Sequence, residues 1–402
     1  MLWFSTGWLI YGLGGNNSDL GMIFGVSSIF GLGASFLGSF LADRHRNDII
    51  IWIGGFLSII GAFILSQSNT LRIIFAGLFI TTIGGSLMFP VLFALFTNST
   101  PAEDRNKVFG TQFLFTNIAW GLGNLVGYFI FKNMNTTEIE NLDVNLIRYS
   151  LLLGAILELI AFLSLLMIRD KFAIKLEDEK SVASDYTMTV IDQKKKKLSE
   201  DFSPGALTII ILTLISGFIV GFGAGITIPY LPRLFFDIYQ IDLSNLSLLL
   251  GFMTFFTAIW GKINADLADK FGRIELIVTN QMVSVTLLVV LSTYPPVYFA
   301  FLTLIVRNAV MNGVGPLTNA VQMEYSPRKY RSRINAMNTI SWSLFFAIGQ
   351  ILGGYLVDQI GFRIPILMTA SLYFIATLCF WQIRSRSAQI VKINDNVSPL
   401  PS

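Results

Sequence analysis

The sequence repeats itself at a constant offset of 226 residues. Leu41-Ala42-Asp43-Arg44 matches Leu267-Ala268-Asp269-Lys270, and each segment stands where a long apolar run ends and a basic turn begins. The offset is shared by Pro90 and Pro316, Pro101 and Pro327, Arg105 and Arg331, Gly123 and Gly349, and Gly127 and Gly353. One offset maintained from Asp43 to Gly127 indicates an internal duplication. The chain is therefore predicted to contain two copies of one structural unit.

The apolar runs predict that each unit crosses a membrane several times. Of the 402 residues, 53% are hydrophobic and only 13% are charged, whereas about a quarter of the residues in a soluble domain are charged. The runs are about 20 residues long, which is the length of a helix that spans a bilayer. They are continuous rather than alternating, so transmembrane strands are not expected. We predict an all-α integral membrane protein.

Counting the runs gives twelve helices, arranged as two six-helix bundles related by an internal pseudo-two-fold repeat. The offset of 226 aligns Met1 with Thr227, near the end of a run in the second copy. The first helix is therefore expected to be truncated, either by a misplaced start or by loss of part of the gene; the alternative is a naturally short helix. The predicted limits are 1–168 for the N-terminal half, 169–205 for a charged linker, 206–384 for the C-terminal half and 385–402 for a polar tail.

The distribution of basic residues predicts the orientation of these helices. Of the 28 Lys and Arg residues, 21 fall in the linker, the tail and the loops on the same side as the linker. Loops rich in Lys and Arg stay in the cytoplasm. The protein is expected in the cell membrane, with its N-terminus, central linker and C-terminus in the cytoplasm.

The turn after the second run of each half resembles a motif of the major facilitator superfamily. In that family it reads roughly Gly-x-Leu-Ala-Asp-Arg-x-Gly-Arg. The second copy, Asp269-Lys270-Phe271-Gly272-Arg273, fits from the aspartate onward, whereas the first copy has Ser39 and Arg46 in place of the two glycines. The resemblance covers about residues 1–384 and implies a transporter, but the motif does not specify the substrate.

These turns also suggest a gate. Their carboxylates lie at the cytoplasmic ends of predicted helices, where they can pair with basic residues or with a helix N-terminus. Such pairs can close one side of a transporter and break when its halves move. The candidate gating residues are Asp43, Arg44, Arg105, Asp269, Lys270, Arg273, Glu324 and Arg331. The alternative is that the basic residues only fix the membrane orientation.

Arg307 is the strongest candidate for a substrate ligand. It lies within a single helix predicted over 297–323, about 14 Å from the outer end at 1.5 Å per residue. An arginine inside a membrane is costly and by default suggests a functional site; the alternative is a structural ion pair. Polar residues near it and on two other runs could complete a central site. The predicted substrate-binding residues are Arg307, Asn308, Asn312, Trp342, Asn338, Gln112, Asn117 and Trp120.

Glu158 is the other deeply placed charge, and it is a candidate for ion coupling, with protons as the candidate coupling ion. The alternative is a carboxyl that is simply protonated against lipid or protein. A metal site or cofactor is not expected, because Cys379 and His45 are the only cysteine and the only histidine. The chain has no phosphate-binding loop of the Gly-x-x-x-x-Gly-Lys type and no nucleophile-base-acid set, so an enzyme is not expected.

The sequence thus predicts a monomeric secondary active transporter that moves a small solute by alternating access, without nucleic acid as a partner. Arg307 favours an anionic or strongly polar solute. One alternative is a proton-driven exporter of amphipathic drugs or lipids. A second is a transport-inactive sensor or scaffold derived from a transporter.

Overall fold

The computed structural model describes residues 2–42, 47–99, 105–134, 137–167, 205–326 and 331–397, and none of these residues lies in a β-strand. The helices, in chain order, are α1 Leu2–Gly12, α2 Asn17–Ala42, α3 Asn47–Ser66, α4 Leu71–Ser99, α5 Arg105–Phe131, α6 Val144–Leu165, α7 Ala206–Thr227, α8 Leu231–Tyr239, α9 Leu243–Phe271, α10 Arg273–Ser292, α11 Val297–Asn312, α12 Gly315–Tyr325, α13 Arg331–Ile360 and α14 Arg363–Val397. Short 3-10 turns precede α6 and α8.

Among the described residues, eleven segments are long and apolar enough to cross a membrane. Two of these segments each contain two helices, α7 with α8 and α11 with α12. The helix α1 has 11 residues and is shorter than a membrane span. The predicted class, an all-α multi-pass membrane protein, is confirmed.

The internal repeat appears in the helix bounds. Adding 226 to both bounds of α3 gives both bounds of α10, and adding it to the start of α2 gives the start of α9. The same shift places α4 on the combined range of α11 and α12. Two copies of one pattern of helices therefore follow each other along the chain.

Local sequence signals explain where several helices begin. At the start of α2, the Asn16 amide donates to the Asp19 carboxylate over 3.0 Å, and the Asp19 amide donates to the Asn16 side chain over 2.9 Å. This reciprocal pair satisfies two donors at the helix start, as a capping box does. Asp143 caps α6 by accepting from the Asn145 and Leu146 amides. Gly272, between α9 and α10, has a φ of +89°, which explains the glycine in that motif.

The contacts between Cα atoms divide the chain into two compact units. Unit 1 contains α1 to α4, α6, most of α5 and the first two residues of α9, and unit 2 contains Asn117–Leu125 of α5, the rest of α9 and the other helices. The predicted halves differ from these units at Asn117–Leu125 and at the start of α9.

Glycines allow very close helix packing in unit 1. The helix α4 packs on both α2 and α3, and α6 packs on α3. A Cβ atom on Gly84 of α4 would lie 2.5 Å from the carbonyl oxygen of Gly54 on α3, and a Cβ on Gly54 would lie 2.7 Å from that of Gly84. Small residues let membrane helices approach until their backbones touch. The α3–α4 contact therefore depends on glycine at both positions.

Unit 2 is organised around α7, which packs on α13 and α14. A Cβ atom on Gly225 of α7 would lie 2.9 Å from the Cα atom of Gly349 on α13. A buried apolar cluster joins α7 to α10, α12 and α14 through Ile209, Ile277, Val321 and Phe380. This packing holds α11 and α14 beside α10, which contacts both of them.

Prolines interrupt two of the membrane segments of unit 2. The segment after α7 contains Pro229 and Pro232, and the helix there gives way to a 3-10 turn and then to α8. The prediction of a single helix over 297–323 was wrong, because α11 ends at Asn312 and α12 begins at Gly315. Pro316 has no N–H group, so it cannot donate to the carbonyl of Asn312 four residues earlier.

Candidate functional site

Arg307 is buried inside unit 2, with 3% of its surface exposed. Its Nη2 atom donates to the hydroxyl of Tyr373 on α14 over 2.8 Å, and its guanidinium carbon lies 5.4 Å from the centre of the Tyr373 ring. Tyr373 is itself 1% exposed. One aromatic side chain therefore gives Arg307 both a hydrogen-bond acceptor and a cation–π contact.

Gly223 of α7 makes room for this tyrosine. A Cβ atom at Gly223 would lie 3.2 Å from the Tyr373 ring. The helices α7, α11 and α14 thus each contribute one residue to the surroundings of the Arg307 charge: Gly223, Arg307 and Tyr373.

Within the described helices, the charge of Arg307 lacks an acidic counterpart. Among the described residues, no carboxylate forms an ion pair with it, and its buried Nε atom has no hydrogen-bond partner. A buried cation without a counter-charge is unfavourable by several kcal/mol, on the order of magnitude found for one member of a broken buried pair. The site is therefore suited to a negatively charged or strongly polar partner that the protein does not itself supply.

The two asparagines predicted to bind substrate with Arg307 form a separate hydrogen-bonded group with α9. Asn308 Nδ2 donates to Thr257 Oγ1 of α9 over 2.9 Å, and Asn312 Nδ2 donates to Asn308 Oδ1 over 2.8 Å. Thr257 is buried, Asn308 is half-buried and Asn312 is exposed. Adjacent helical residues point about 100° apart, so Arg307 and Asn308 serve separate polar groups in this structure.

The predicted site residues on α13 lie near α7. Asn338 is half-buried, and its Oδ1 atom lies 2.7 Å from the position that a Cβ atom of Gly217 would take. Trp342 is 40% exposed and stacks on Phe346, with 4.9 Å between the ring centres. Both residues are in unit 2, but no described contact joins them to the Arg307 guanidinium.

The predicted site residues on α5 differ in exposure. Gln112 and Asn117 are half-buried, and Trp120 is 68% exposed. Such a large exposed indole on a membrane segment is available for a ligand, for lipid or for another part of the protein.

Glu158 of α6 is paired with a serine of α3. Its Oε1 atom accepts a short hydrogen bond from Ser58 Oγ, while its Oε2 atom is buried and has no partner. The Thr81 hydroxyl of α4 reaches the Ser58 carbonyl over 3.4 Å. Among the described residues no cation pairs with Glu158, so the carboxyl is suited to carrying a proton.

The predicted gating residues are described only in part. Asp43 and Arg44 lie outside the described residues, and the side chains of Arg105 and Arg331, the first residues of α5 and α13, are not described. Asp269 and Lys270 are exposed at the end of α9. The ion pair at this turn joins Arg273 to Glu324 over 3.0 Å, between the start of α10 and the end of α12. A second pair, Arg384 to Glu275 over 3.2 Å, joins α14 to α10.

The structure adds polar residues that the sequence did not single out. Tyr373 is one, since a tyrosine in an apolar run carries no sign of its partner. A hydrogen-bonded group between α9 and α10 is another: Trp260 Nε1 donates to Asn280 Oδ1 over 2.9 Å, and Asn280 Nδ2 donates to Asn264 Oδ1 over 3.1 Å. Asparagines inside apolar runs were the available signal for this group.

Comparison with known proteins agrees with the helical arrangement. The sequence model of the family described as Major Facilitator Superfamily matches residues 1–279 and 213–399. The chain belongs to the major facilitator superfamily, a family of membrane transporters. The resemblance noted from the sequence is thereby confirmed, as is the expectation of a transporter family rather than an enzyme.

Similar proteins are found by sequence and by structure. The synaptic vesicle 2-related proteins of Rattus norvegicus and Bos taurus are 28% and 27% identical over 162 residues. That match covers 39% of this chain, and the chain spans only 28% of the length of each of these relatives.

Two solved structures share the fold over a larger part of this chain than the sequence relatives match. A D-xylose-proton symporter matches with a TM-score of 0.70 at 16% identity, over 94% of this chain and 96% of its own. A nucleoside transporter matches with a TM-score of 0.68 at 13% identity, over 95% of this chain and 94% of its own. At these identities the likeness establishes the fold alone.

Proposed function

We propose that this protein is a secondary active transporter that moves a small solute across the membrane by alternating access. Its family membership supports this class of function, and transporters of this kind bind solute near the middle of the bilayer and expose it to each side in turn. The solute carries an anionic or strongly polar group that Arg307 recognises.

The observation that carries this proposal is the charge of Arg307, with which no carboxylate of the described residues forms an ion pair. The guanidinium is buried, and Tyr373 supplies only a neutral partner. A planar guanidinium can hold an oxyanion by two parallel hydrogen bonds, and such bonds are stronger than those between neutral groups. A bound carboxylate or phosphate would therefore relieve the unfavourable burial of the charge and gain affinity from it.

Glu158 supports protons as the coupling ion. The carboxyl is held by Ser58 and has a buried oxygen without a partner, in a membrane segment where an isolated negative charge is costly. A carboxyl in such surroundings can bind and release a proton as the helices around it move. The coupling step is assigned to α3 and α6, which hold Ser58 and Glu158.

Uptake by purified protein in liposomes tests the transport function. Radiolabelled phosphate, lactate, gluconate, alanine and glucose are offered with and without a pH gradient, and the wild-type protein is expected to accumulate at least one of the anions. Failure to move any of these solutes under either condition would favour the sensor or scaffold interpretation.

Two Arg307 variants test the role of this residue. Arg307→Gln should abolish uptake, while Arg307→Lys should reduce it strongly, because lysine keeps the charge but loses the planar fork. Lys262→Gln is the matched control, because it removes another basic side chain from a membrane segment of unit 2, one that is exposed. If the loss of uptake in Arg307→Gln is accompanied by a matching loss of thermal stability, the residue is structural and the anion argument fails.

A separate pair of variants tests the coupling. Glu158→Gln can still bond Ser58 but cannot release a proton, so uptake should no longer respond to the pH gradient. Ser58→Ala keeps the carboxyl and should retain a response. Unchanged gradient dependence in Glu158→Gln would remove this residue from the coupling step.

A further inference from the structure

The contact between α9 and α11 in the second copy uses different side chains from the matching contact between α2 and α4 in the first. At the offset of 226, Asn264 corresponds to Gly38, and Gly313 corresponds to Leu87. A Cβ atom on Gly38 would lie 3.3 Å from the Cα atom of Leu87, whereas a Cβ on Gly313 would lie 3.2 Å from the Nδ2 atom of Asn264. The glycine has thus changed sides between the copies, and in the second copy it faces an amide side chain.

The amide of Asn264 belongs to a chain of hydrogen bonds with a fixed direction. Trp260 Nε1 donates to Asn280 Oδ1 over 2.9 Å, and Asn280 Nδ2 donates to Asn264 Oδ1 over 3.1 Å. An indole N–H group can donate but cannot accept. Trp260 therefore determines which end of each asparagine side chain is the acceptor, and the donor end of Asn264 is left beside Gly313, at the end of α11.

The donor end of Asn264 is buried and has no hydrogen-bond partner. The residue is 0% exposed, and its Nδ2 atom forms no hydrogen bond. A buried polar group without a partner is unfavourable, because it has lost its bonds to water and gained none in return. The present arrangement of α9 and α11 therefore leaves one strong donor unsatisfied.

The space between this donor and α11 is too narrow for a water molecule. A Cβ atom on Gly313 would lie 2.7 Å from the carbonyl oxygen of Ala309, 2.9 Å from the Cδ1 atom of Trp260 and 3.2 Å from the Nδ2 atom of Asn264. Even a methyl group would not fit there without movement, whereas an ordered water needs a cavity of at least its own size. The acceptor that borders this space is the Ala309 carbonyl.

The Ala309 carbonyl can accept a second hydrogen bond. It already accepts from the Gly313 amide over 2.8 Å. A carbonyl oxygen has two lone pairs, so another donor can join it without breaking this helical bond. Ala309 is itself 5% exposed, which keeps water away from the second lone pair. A buried donor and a buried acceptor with spare capacity thus lie on either side of the same space.

We propose that unit 2 has a second arrangement, in which the end of α11 lies closer to α9 and the Nδ2 atom of Asn264 donates to the carbonyl oxygen of Ala309. Asn264 then acts as a latch that is open in the present structure. The first copy cannot form this latch, because Gly38 has no side chain. The latch gives α11 two positions relative to α9, and it does not depend on the binding of a solute by Arg307.

A fluorine probe at the end of α11 tests the latch without requiring transport. Gly315 is exposed and a Cβ atom there has nothing within 4 Å, so Gly315→Cys can carry a trifluoroethylthiol group in a Cys379→Ser background. The fluorine NMR spectrum in detergent is expected to contain a signal that Asn264→Leu lowers about tenfold, the change that follows from losing one buried hydrogen bond. Leucine has a similar size to asparagine but offers no donor.

Two controls and a second variant accompany this comparison. Gly85 of α4 also has nothing within 4 Å of a Cβ atom, and a probe at Gly85→Cys should not respond to Asn264→Leu. Lys262→Gln changes an exposed residue of α9 and should leave the Gly315 spectrum as it is. Trp260→Phe keeps an aromatic ring but removes the donor that orients the amides, so it should lower the same signal about twofold or more.

The outcomes are distinct. A Gly315 spectrum that is the same with and without Asn264→Leu overturns the latch. A change that appears equally in Lys262→Gln, or at the Gly85 probe, also overturns it, because it reports a general loss of structure. If Asn264→Leu does not fold, Trp260→Phe takes its place, and an unchanged signal in that variant overturns the latch.

Discussion

Arg307 donates a hydrogen bond to the hydroxyl of Tyr373 and lies over the ring of the same residue, within the core of unit 2. Tyr373→Phe keeps the ring and removes the acceptor. Since a buried donor left without a partner costs about 1–3 kcal/mol, this variant should unfold at a lower temperature than wild type. Intrinsic fluorescence during heating in detergent measures the difference.

If Arg307 binds an anion, an added anion should partly restore the thermal stability that Tyr373→Phe loses. The melting temperature of Tyr373→Phe is expected to rise more with added phosphate or lactate than with glucose. Tyr298→Phe, which changes an exposed tyrosine on α11, serves as the control. A Tyr373→Phe variant as stable as the wild-type protein would contradict the importance of this hydrogen bond.

Two neighbouring glycines in α4 should respond very differently to substitution. A Cβ atom on Gly84 would meet the Gly54 carbonyl and the Ser58 amide nitrogen, each at 2.5 Å, whereas a Cβ on Gly85 has nothing within 4 Å. Gly84→Ala should therefore destabilise unit 1 by about 1–3 kcal/mol, as overpacking generally does. Gly85→Ala should be tolerated. The fraction of folded protein after heating, followed by size-exclusion chromatography, compares the two variants, and equal values would argue against close α3–α4 packing.

The ion pair between Arg273 and Glu324 should contribute little to stability. Both side chains are about half exposed, at 47% and 57%, and water screens their attraction. A double-mutant cycle with Arg273→Gln and Glu324→Gln is expected to give a coupling below about 1 kcal/mol. The two single variants should instead change the uptake rate if this turn gates transport. A large coupling in stability together with normal uptake would assign the pair a structural role.

The helices and their repetition could be predicted from the sequence. Continuous apolar runs bounded by charged turns define α2, α3 and α10 to within a few residues, because the length of a membrane span is fixed by the bilayer. The duplication follows from residue identity alone. The Gly272 turn was recognisable too, since its φ of +89° favours glycine.

The partners of the polar residues could not be predicted in the same way. An apolar run gives no periodic signal of which face meets another helix, so nothing in the sequence placed Tyr373 beside Arg307 or Ser58 beside Glu158. The break at Asn312 had a signal in Pro316, but the matching Pro90 lies within the unbroken helix α4. Whether proline breaks a membrane helix depends on what packs around it.

Pro90 lies within one helix whereas Pro316 follows a break, and this difference gives the two copies different bending stiffness. The turn before Pro90 is held from two sides, by Gly38 of α2 against the backbone of Leu87 and by Gly54 of α3 against Met88. Gly315 and Pro316 are exposed between the buried Val314 and Leu317, and the segment is divided into the two helices α11 and α12. The proline that both copies share thus lies within a continuous helix in the first copy and at the break between two helices in the second. If the protein changes shape while it works, α4 is built to move as a single piece, whereas α11 and α12 can change their angle within the membrane.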